Sequence, residues 1–404
     1  MNQHFADRVQ TLRPTAVNRV LAEAKSDHST KRPLVSLMRG QPDSATPPHI
    51  VAAANDALAR GHTGYPDNQG EMFLRQAVAR KLIRDNGLSY DPIREVLITD
   101  GATGGLFAAL AALLNPGDDV LVPDPVYDAY VSPIAIWGGR AVPVRARIES
   151  GRFVMDRAAL EAAHTARTRV LLINTPWNPT GSVFTHAELS VLMDFAREHD
   201  LRVLSDEIYE TLIYDGRRHV SPASVSEDAR SRTVLVHSLS KTYAMTGWRV
   251  GYCAAPADIV ASMLLVWQQF SRGPATFVQH AAAAALEGDQ ACVRAMAAEY
   301  EARRDRVVSA IQGIPGVAAL VPEGGLFVMA DVRGLGISSN EVRADLLREE
   351  GLIVIHGAAY GPGGEGTLRI SFAGGGAALD EGLRRLRIGL LRLSSLSCES
   401  AKPS

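Results

Sequence analysis

The stretch SLSKTYAMTGWRVGY, residues 238–252, holds the single lysine found between Lys81 and Lys402. The chain has five lysines among 42 basic residues, and all the others are arginine. A composition so biased meets ordinary needs for positive charge with arginine, so a lysine retained in a Ser/Thr/Gly-rich setting points to amine chemistry. A guanidinium keeps its proton near neutrality, whereas an ammonium can lose its proton, and the neutral amine can condense with an aldehyde. Arg249 stands eight residues after Lys241 and offers a forked, permanently charged donor for an anion. TVLVH (233–237) and WRVGYCA (248–254) read as strands, which places Lys241 in the connection between them.

Outward from this segment the chain alternates short β-branched runs with helical stretches from residue 96 onward. The strand candidates are VLIT (96–99), DVLV (119–122), AVPVR (141–145), RVLLIN (169–174), LRVLS (201–205), TVLVH and WRVGYCA. Helices are expected between them, HAELSVLMDFAREHD (186–200) among them. The alternation predicts an α/β fold, with a mostly parallel seven-stranded sheet covered on both faces. After a long helical stretch at about 276–313 the pattern changes to VAALV, GLFVMADV, GLIVI and TLRISF with helices between. That implies a smaller α+β domain, and the amphipathic stretch RVQTLRPTAVNRVLAEAK near the amino terminus is expected to pack on it. The expected division is 1–45 and 286–393 for the small domain, 46–285 for the large one, and 394–404 as a disordered tail.

Composition narrows the partners. Net charge is -2 with acids and bases mixed along the chain, so no basic stripe calls for nucleic acid and no polybasic segment for a membrane surface. Three cysteines, Cys253, Cys292 and Cys398, are odd in number and widely spaced, which fits a reducing compartment better than a disulfide framework or a metal site. The longest apolar run, LFAALAALL (106–114), is too short to span a bilayer. A soluble, cytoplasmic protein with a small polar metabolite as its partner is expected.

Seven further blocks accompany the lysine segment: RGQPD (39–43), YPDNQG (65–70), DGATGG (100–105), PDPVYDAY (123–130), NTPWNPTG (174–181), SDEIYE (205–210) and LRISFA (368–373). Together with Ser238, Ser240, Lys241 and Arg249 they resemble, in order, the class I/II aminotransferases, pyridoxal-phosphate enzymes of fold type I such as aspartate aminotransferase. The resemblance runs from about residue 33 to 390. It implies a large cofactor-binding domain, a small domain built from both chain ends, and a homodimer with shared active sites.

The resemblance also implies roles. Lys241 binds the aldehyde of pyridoxal 5'-phosphate as an imine and later moves the substrate α-proton. Asp206, at the end of LRVLS, faces the ligand crevice of an open α/β sheet and pairs with the ring nitrogen, so the ring can accept electrons. Tyr209 and Asn178 donate to the ring oxygen, and Asn178 also helps hold the substrate carboxylate. Glu207 is read as structural. DGATGG follows a strand and opens a helix, so the N–H groups of Gly101, Ala102 and Thr103 can face an anion, with Ser238 and Arg249 completing the phosphate site. Tyr127 stacks on the ring, Tyr130 is assigned to packing, and Tyr65 reaches the phosphate of the neighbouring subunit. Arg369 clamps the substrate α-carboxylate in a bidentate contact, with the Gly40 backbone closing over it. No metal is called for.

Three positions depart from the family pattern on its substrate side: Arg39, Trp177 and His356. A cation at Arg39 suits an acidic or polar side chain, or faces solvent. The stretch from HVSPASV through GWRVGY also resembles bacterial arginine:pyruvate transaminases. The expected activity is ping-pong transfer of an amino group from an amino acid to a 2-oxo acid. The alternatives are β- or γ-elimination on the same scaffold and a binding module without turnover.

Overall fold

The computed structural model describes residues 6–10, 12–26 and 29–400, with side chains as far as Ser397. The runs read as strands form one seven-stranded sheet: β1 Val96–Thr99, β2 Asp119–Asp124, β3 Arg140–Arg145, β4 Thr168–Asn174, β5 Arg202–Asp206, β6 Thr233–Ser238 and β7 Gly251–Ala254. Their order is β1-β7-β6-β5-β4-β2-β3, and only β7 runs antiparallel to its neighbours. Apart from the partly exposed edge strand β3, the strands are buried on both faces, which is why they carry apolar residues at consecutive positions. Val170 and Leu172 join a core with Leu106, Ala109 and Trp267 on one face, while Leu171 and Ile173 join Leu189, Leu192 and Phe195 on the other.

The helix following β4 covers His186–Glu198 and starts at a capping box, in which Thr185 and Glu188 each satisfy the other's backbone N–H. β7 begins at Gly251, three residues later than the run WRVGYCA suggests. Arg249 sits in the left-handed region at φ 54° after a short 3₁₀ turn, and such a residue cannot extend a strand.

The second sheet has four antiparallel strands in the order Ala318–Leu320, Phe327–Asp331, Thr367–Ser371 and Ile355–His356. A separate short parallel pair joins Val35–Ser36 to Leu352–Ile353 and so ties the amino-terminal segment to the carboxy-terminal one. Helix Ala16–Ser26 starts two residues after Pro14 and packs Ala16, Val20 and Ala24 against Ile353, Ile355 and Tyr360. The long helical stretch divides at Gly288 into Thr276–Glu287 and Ala291–Ile311.

The tail reading needs correction. The last helix runs from Gly376 to Ser400, where the expected disordered segment begins at 394. Ser394 is buried and its hydroxyl donates to the Pro315 carbonyl, while the Ser397 hydroxyl donates to the Leu335 carbonyl, so small polar residues that look like a loose end are anchored by main-chain acceptors. Residues 401–404 and the Cys398 side chain lie outside the described residues. Cys253 and Cys292 are free thiols. Among the described residues no helix is long and apolar enough to cross a membrane.

Candidate active site

The carboxyl ends of the central strands bring several of the marked side chains to one crevice, as expected for an open α/β sheet. β5 delivers Asp206, β6 delivers Ser238 with Lys241 one turn beyond, and the end of β1 leads into helix Gly101–Leu113. Across the crevice, the second sheet supplies Phe327 and Arg369. The cavity between them holds about 310 Å³ and is lined by Gly40, Tyr127, Asn178, Tyr209, Lys241 and Arg369, joined by Arg39 and Asp128.

The Lys241 Nζ donates to the Gly40 carbonyl at 2.6 Å. Burial, reinforced by the nearby charges of Arg249 and Arg369, lowers its pKa to about 8, so a substantial neutral fraction exists near physiological pH. Asp206 is fully enclosed. Burial raises its pKa to about 6, although the Tyr130 hydroxyl donates to Oδ2 at 2.6 Å and the Ile208 N–H to Oδ1 at 3.2 Å. Tyr130 thus does more than pack: it is the strongest donor holding the carboxylate. Its position in the loop PDPVYDAY gave no sign of where its hydroxyl points. Its ring also meets Tyr127 edge-on, with centroids 5.3 Å apart.

Glu207, beside Asp206, points away into a buried network in which the Ser205 and Ser221 hydroxyls and the His219 ring contact its carboxylate. That environment fits the structural reading of Glu207. Next to it, Glu210 pairs with Lys81, both nearly free of solvent.

Arg369 is 2% exposed and lies between two aromatic faces, with its guanidinium carbon 3.9 Å from the Phe327 ring centre and 4.8 Å from that of Tyr360. Nη1 donates to the Asn178 Oδ1 at 3.2 Å and Nη2 to the Met38 carbonyl at 2.7 Å, while Nε has no partner. Arg369 thus donates to the Met38 carbonyl, while the Gly40 carbonyl accepts from Lys241. Gly40 is a glycine because a Cβ there would fall 2.3 Å from the Phe327 Cζ. Asn178 is fixed through its own N–H, which donates to the Asn174 Oδ1 at 2.7 Å.

At the other end, Asp100 precedes helix Gly101–Leu113 without capping it by its side chain, which instead accepts from the Ser271 hydroxyl at 2.5 Å. The first-turn N–H groups of Gly101, Ala102 and Thr103 thus lack a side-chain cap. Arg249 is led to this helix end by its left-handed backbone, and Nη2 donates to the Asp100 carbonyl at 3.2 Å. Gly101 has φ +73°, and a Cβ there would lie 2.8 Å from Arg249 Nη2. Ser238 and Ser240 are buried beside it, their hydroxyls 2.8 Å apart.

Two expectations shift, those for Trp177 and His356, while Tyr65, assigned to the neighbouring subunit, is free to reach out of its own chain. Tyr65 is 91% exposed and is not among the cavity-lining residues of its own chain. Trp177 is not on the substrate side: it is 1% exposed, packed on Phe153 and Phe184, with its indole N–H donating to the Pro125 carbonyl. His356 is half-buried beside Arg343 and Glu365, outside the cavity lining. Arg39 does line the cavity. Among the lining residues that sequence reading passed over are Asn18, Phe327 and Asp128, the last next to Tyr127.

Comparison with known proteins agrees with this geometry. The family model described as aminotransferase class I and II matches residues 32–386. Aromatic-amino-acid aminotransferase 2 of Thermococcus litoralis is 37% identical, covering 95% of this chain and 97% of the relative. An arginine–pyruvate transaminase of Pseudomonas aeruginosa is 39% identical over 88% of this chain and 89% of the relative. Among solved structures, the aspartate aminotransferase of Rhizobium meliloti superposes with a TM-score of 0.91 at 33% identity, covering 96% of this chain and 98% of that one. A lysine, a buried acid and a clamped arginine sharing one crevice in this fold are thus accounted for together: the chain belongs to the class I and II aminotransferase family and is an aminotransferase, transferring an amino group from an amino acid to a 2-oxo acid.

Proposed function

We propose that the cavity binds pyridoxal 5'-phosphate with Lys241 as its covalent anchor and Arg369 as the clamp for the substrate α-carboxylate. The observation that carries this reading is the convergence of Lys241, Asn178, Tyr209 and Arg369 on one cavity, with Asp206 enclosed beside it. The group fits the residues present. An uncapped helix start lies beside a guanidinium at Gly101, with no room for a side chain. A buried carboxyl lacks a cationic ion-pair partner among the described residues, and the amine is already inclined to lose its proton. When bound, pyridoxal phosphate supplies an aldehyde and an electron-accepting ring.

The chain's own groups do the rest. Gly101, Ala102, Thr103, Ser238 and Arg249 hold the phosphate, and Asp206 keeps a positive charge on the ring nitrogen. Tyr209 and Asn178 donate to the ring oxygen, and Tyr127 covers the ring face. Arg369, held between Phe327 and Tyr360, would orient the amino acid so that its α-hydrogen faces Lys241, whose neutral amine would take up that proton and give it up within the same half-reaction to the carbon that carried the aldehyde.

The reading extends to a cytoplasmic homodimer in which the exposed Tyr65 reaches the phosphate site of the second subunit. The domains are 46–285 for the cofactor and the two flanking segments for the small unit. Amino donors of the aromatic, acidic or basic classes are all in scope, given the relatives' names.

The test is chemical. Borohydride treatment of protein loaded with the cofactor, followed by peptide mapping, should place the label on Lys241. Lys241→Ala should bind cofactor yet release no 2-oxo acid in a half-reaction. A label elsewhere, turnover in that variant, or ammonia and pyruvate formed in place of transfer would each overturn the proposal.

A further inference from the structure

The cavity contains a carboxylate that the transfer chemistry leaves unused. Asp128 lines it together with Arg369, Arg39 and Asn18. One of its oxygens, Oδ2, accepts the backbone N–H of Ala16, the first residue of helix Ala16–Ser26. The other, Oδ1, is shielded from solvent and has no hydrogen-bond partner. Arg369 and Arg19 are near enough to act on its charge, but among the described residues neither forms an ion pair with it. Under the proposed function Arg369 is committed to the α-carboxylate of the incoming amino acid. Binding then occupies the charge that acts most strongly on Asp128 and leaves a half-buried carboxyl with an unpartnered oxygen. A partly buried carboxylate with an unpaired oxygen is unfavourable, and a ligand that brings its own cation and donors removes that penalty.

We propose that Asp128 receives the cationic end of the amino donor's side chain, a guanidinium or an ammonium, and makes basic amino acids the preferred donors. The proposal rests on the reading of Arg369 as the α-carboxylate clamp. It is sharpened by Arg39, which lines the same cavity with the opposite charge and makes a preference for dicarboxylic donors the concrete rival.

The test uses the holoenzyme with arginine, lysine, leucine and aspartate as donors, in the wild type, Asp128→Asn and Asp128→Ala. Asn keeps an oxygen for the Ala16 N–H and removes only the charge; Ala removes both. Arginine or lysine should exceed leucine and aspartate at least tenfold in kcat/KM. Asp128→Asn should erase that margin while leaving leucine within about threefold. Aspartate as the best wild-type donor would overturn the proposal. So would an Asn variant that keeps the preference for basic donors while Ala weakens all donors alike, since that pattern belongs to a residue that only seats the helix.

A readout without turnover separates this idea from the function beneath it. By calorimetry, 5-guanidinopentanoate should bind the wild type at least tenfold more tightly than hexanoate, and the two should bind Asp128→Asn about equally. If the calorimetric preference holds but no donor yields a 2-oxo acid, the transfer reading fails and the role of Asp128 stands. An equal affinity for both acids in the wild type overturns the role of Asp128.

Discussion

Replacing Asp206 by Asn should change the pH dependence of stability in a way that reports directly on the buried acid. In the cofactor-free protein, burial moves the Asp206 pKa from an ordinary 3.8 to about 6. That disfavours the ionised form by ~3 kcal/mol, at about 1.4 kcal/mol per tenfold in the ionisation constant. The sign follows from proton binding. Below about pH 4 the carboxyl is protonated whether the chain is folded or unfolded, so no penalty exists. Between about 4 and 6 the unfolded chain has released a proton that the folded chain still holds, and stability falls as pH rises. Above 6 both states are ionised and the full penalty applies.

Asn is nearly isosteric: its one oxygen can accept from the Ile208 N–H while its amide donates to the Tyr130 hydroxyl, and it does not titrate. The stability of the wild type relative to Asp206→Asn should therefore drop by ~3 kcal/mol between pH 4 and pH 7. Urea unfolding of both cofactor-free proteins, at one protein concentration and at half-unit pH steps, measures the difference with other titrating groups cancelling. Saturating pyridoxal phosphate should then stabilise the wild type more than the variant above pH 6, because the ionised carboxylate gains a cationic partner. A difference between the two proteins that stays flat from pH 4 to 7 would refute the claim that the site holds this acid at such a cost.

Tyr130→Phe removes the best donor to that carboxylate, a bond of a kind worth ~1.5–3 kcal/mol. In the same urea series its stability loss should extend to a higher pH than in the wild type, and equilibrium dialysis should show weaker cofactor binding. Gly101→Ala forces a Cβ to 2.8 Å from Arg249 Nη2 at a backbone φ of +73°, costing ~1–2 kcal/mol for the conformation alone. Its circular dichroism should match the wild type while its pyridoxal phosphate dissociation constant rises at least tenfold. Arg369→Ala should lose ~2–5 kcal/mol of substrate recognition, appearing mainly in KM for every α-amino acid. Arg369→Lys should recover little of it, since one ammonium cannot reproduce a fork set between Phe327 and Tyr360.

What could be read from the string, and what could not, divides along sequence separation. The sheet was legible because burial on both faces writes itself into consecutive apolar residues such as those of β4 and β5, and the chemistry was legible because Asp206 ends one strand and Lys241 lies one turn past the end of another. Ends of elements were less so: Arg249 looks like a strand residue until its left-handed φ is known, and Ser394 looks like a tail until Pro315 is beside it. Contacts between distant segments were not legible at all. Tyr130 meets Asp206 across 76 positions, Arg369 meets Asn178 across 191 and Lys241 meets Gly40 across 201. Trp177 shows the same limit in reverse, since its place in NTPWNPTG suggested the substrate side while its indole is locked to Pro125 in the core. Donor preference depends on just such distant meetings, because the cavity wall is assembled from Asn18, Arg39, Asp128 and Phe327, four segments with no local signature in common. An acid one residue from an aromatic in a loop carries no information as a string. The same acid, with one oxygen seated on the start of a helix and the other left without a donor beside a clamped arginine, states a charge requirement for whatever enters.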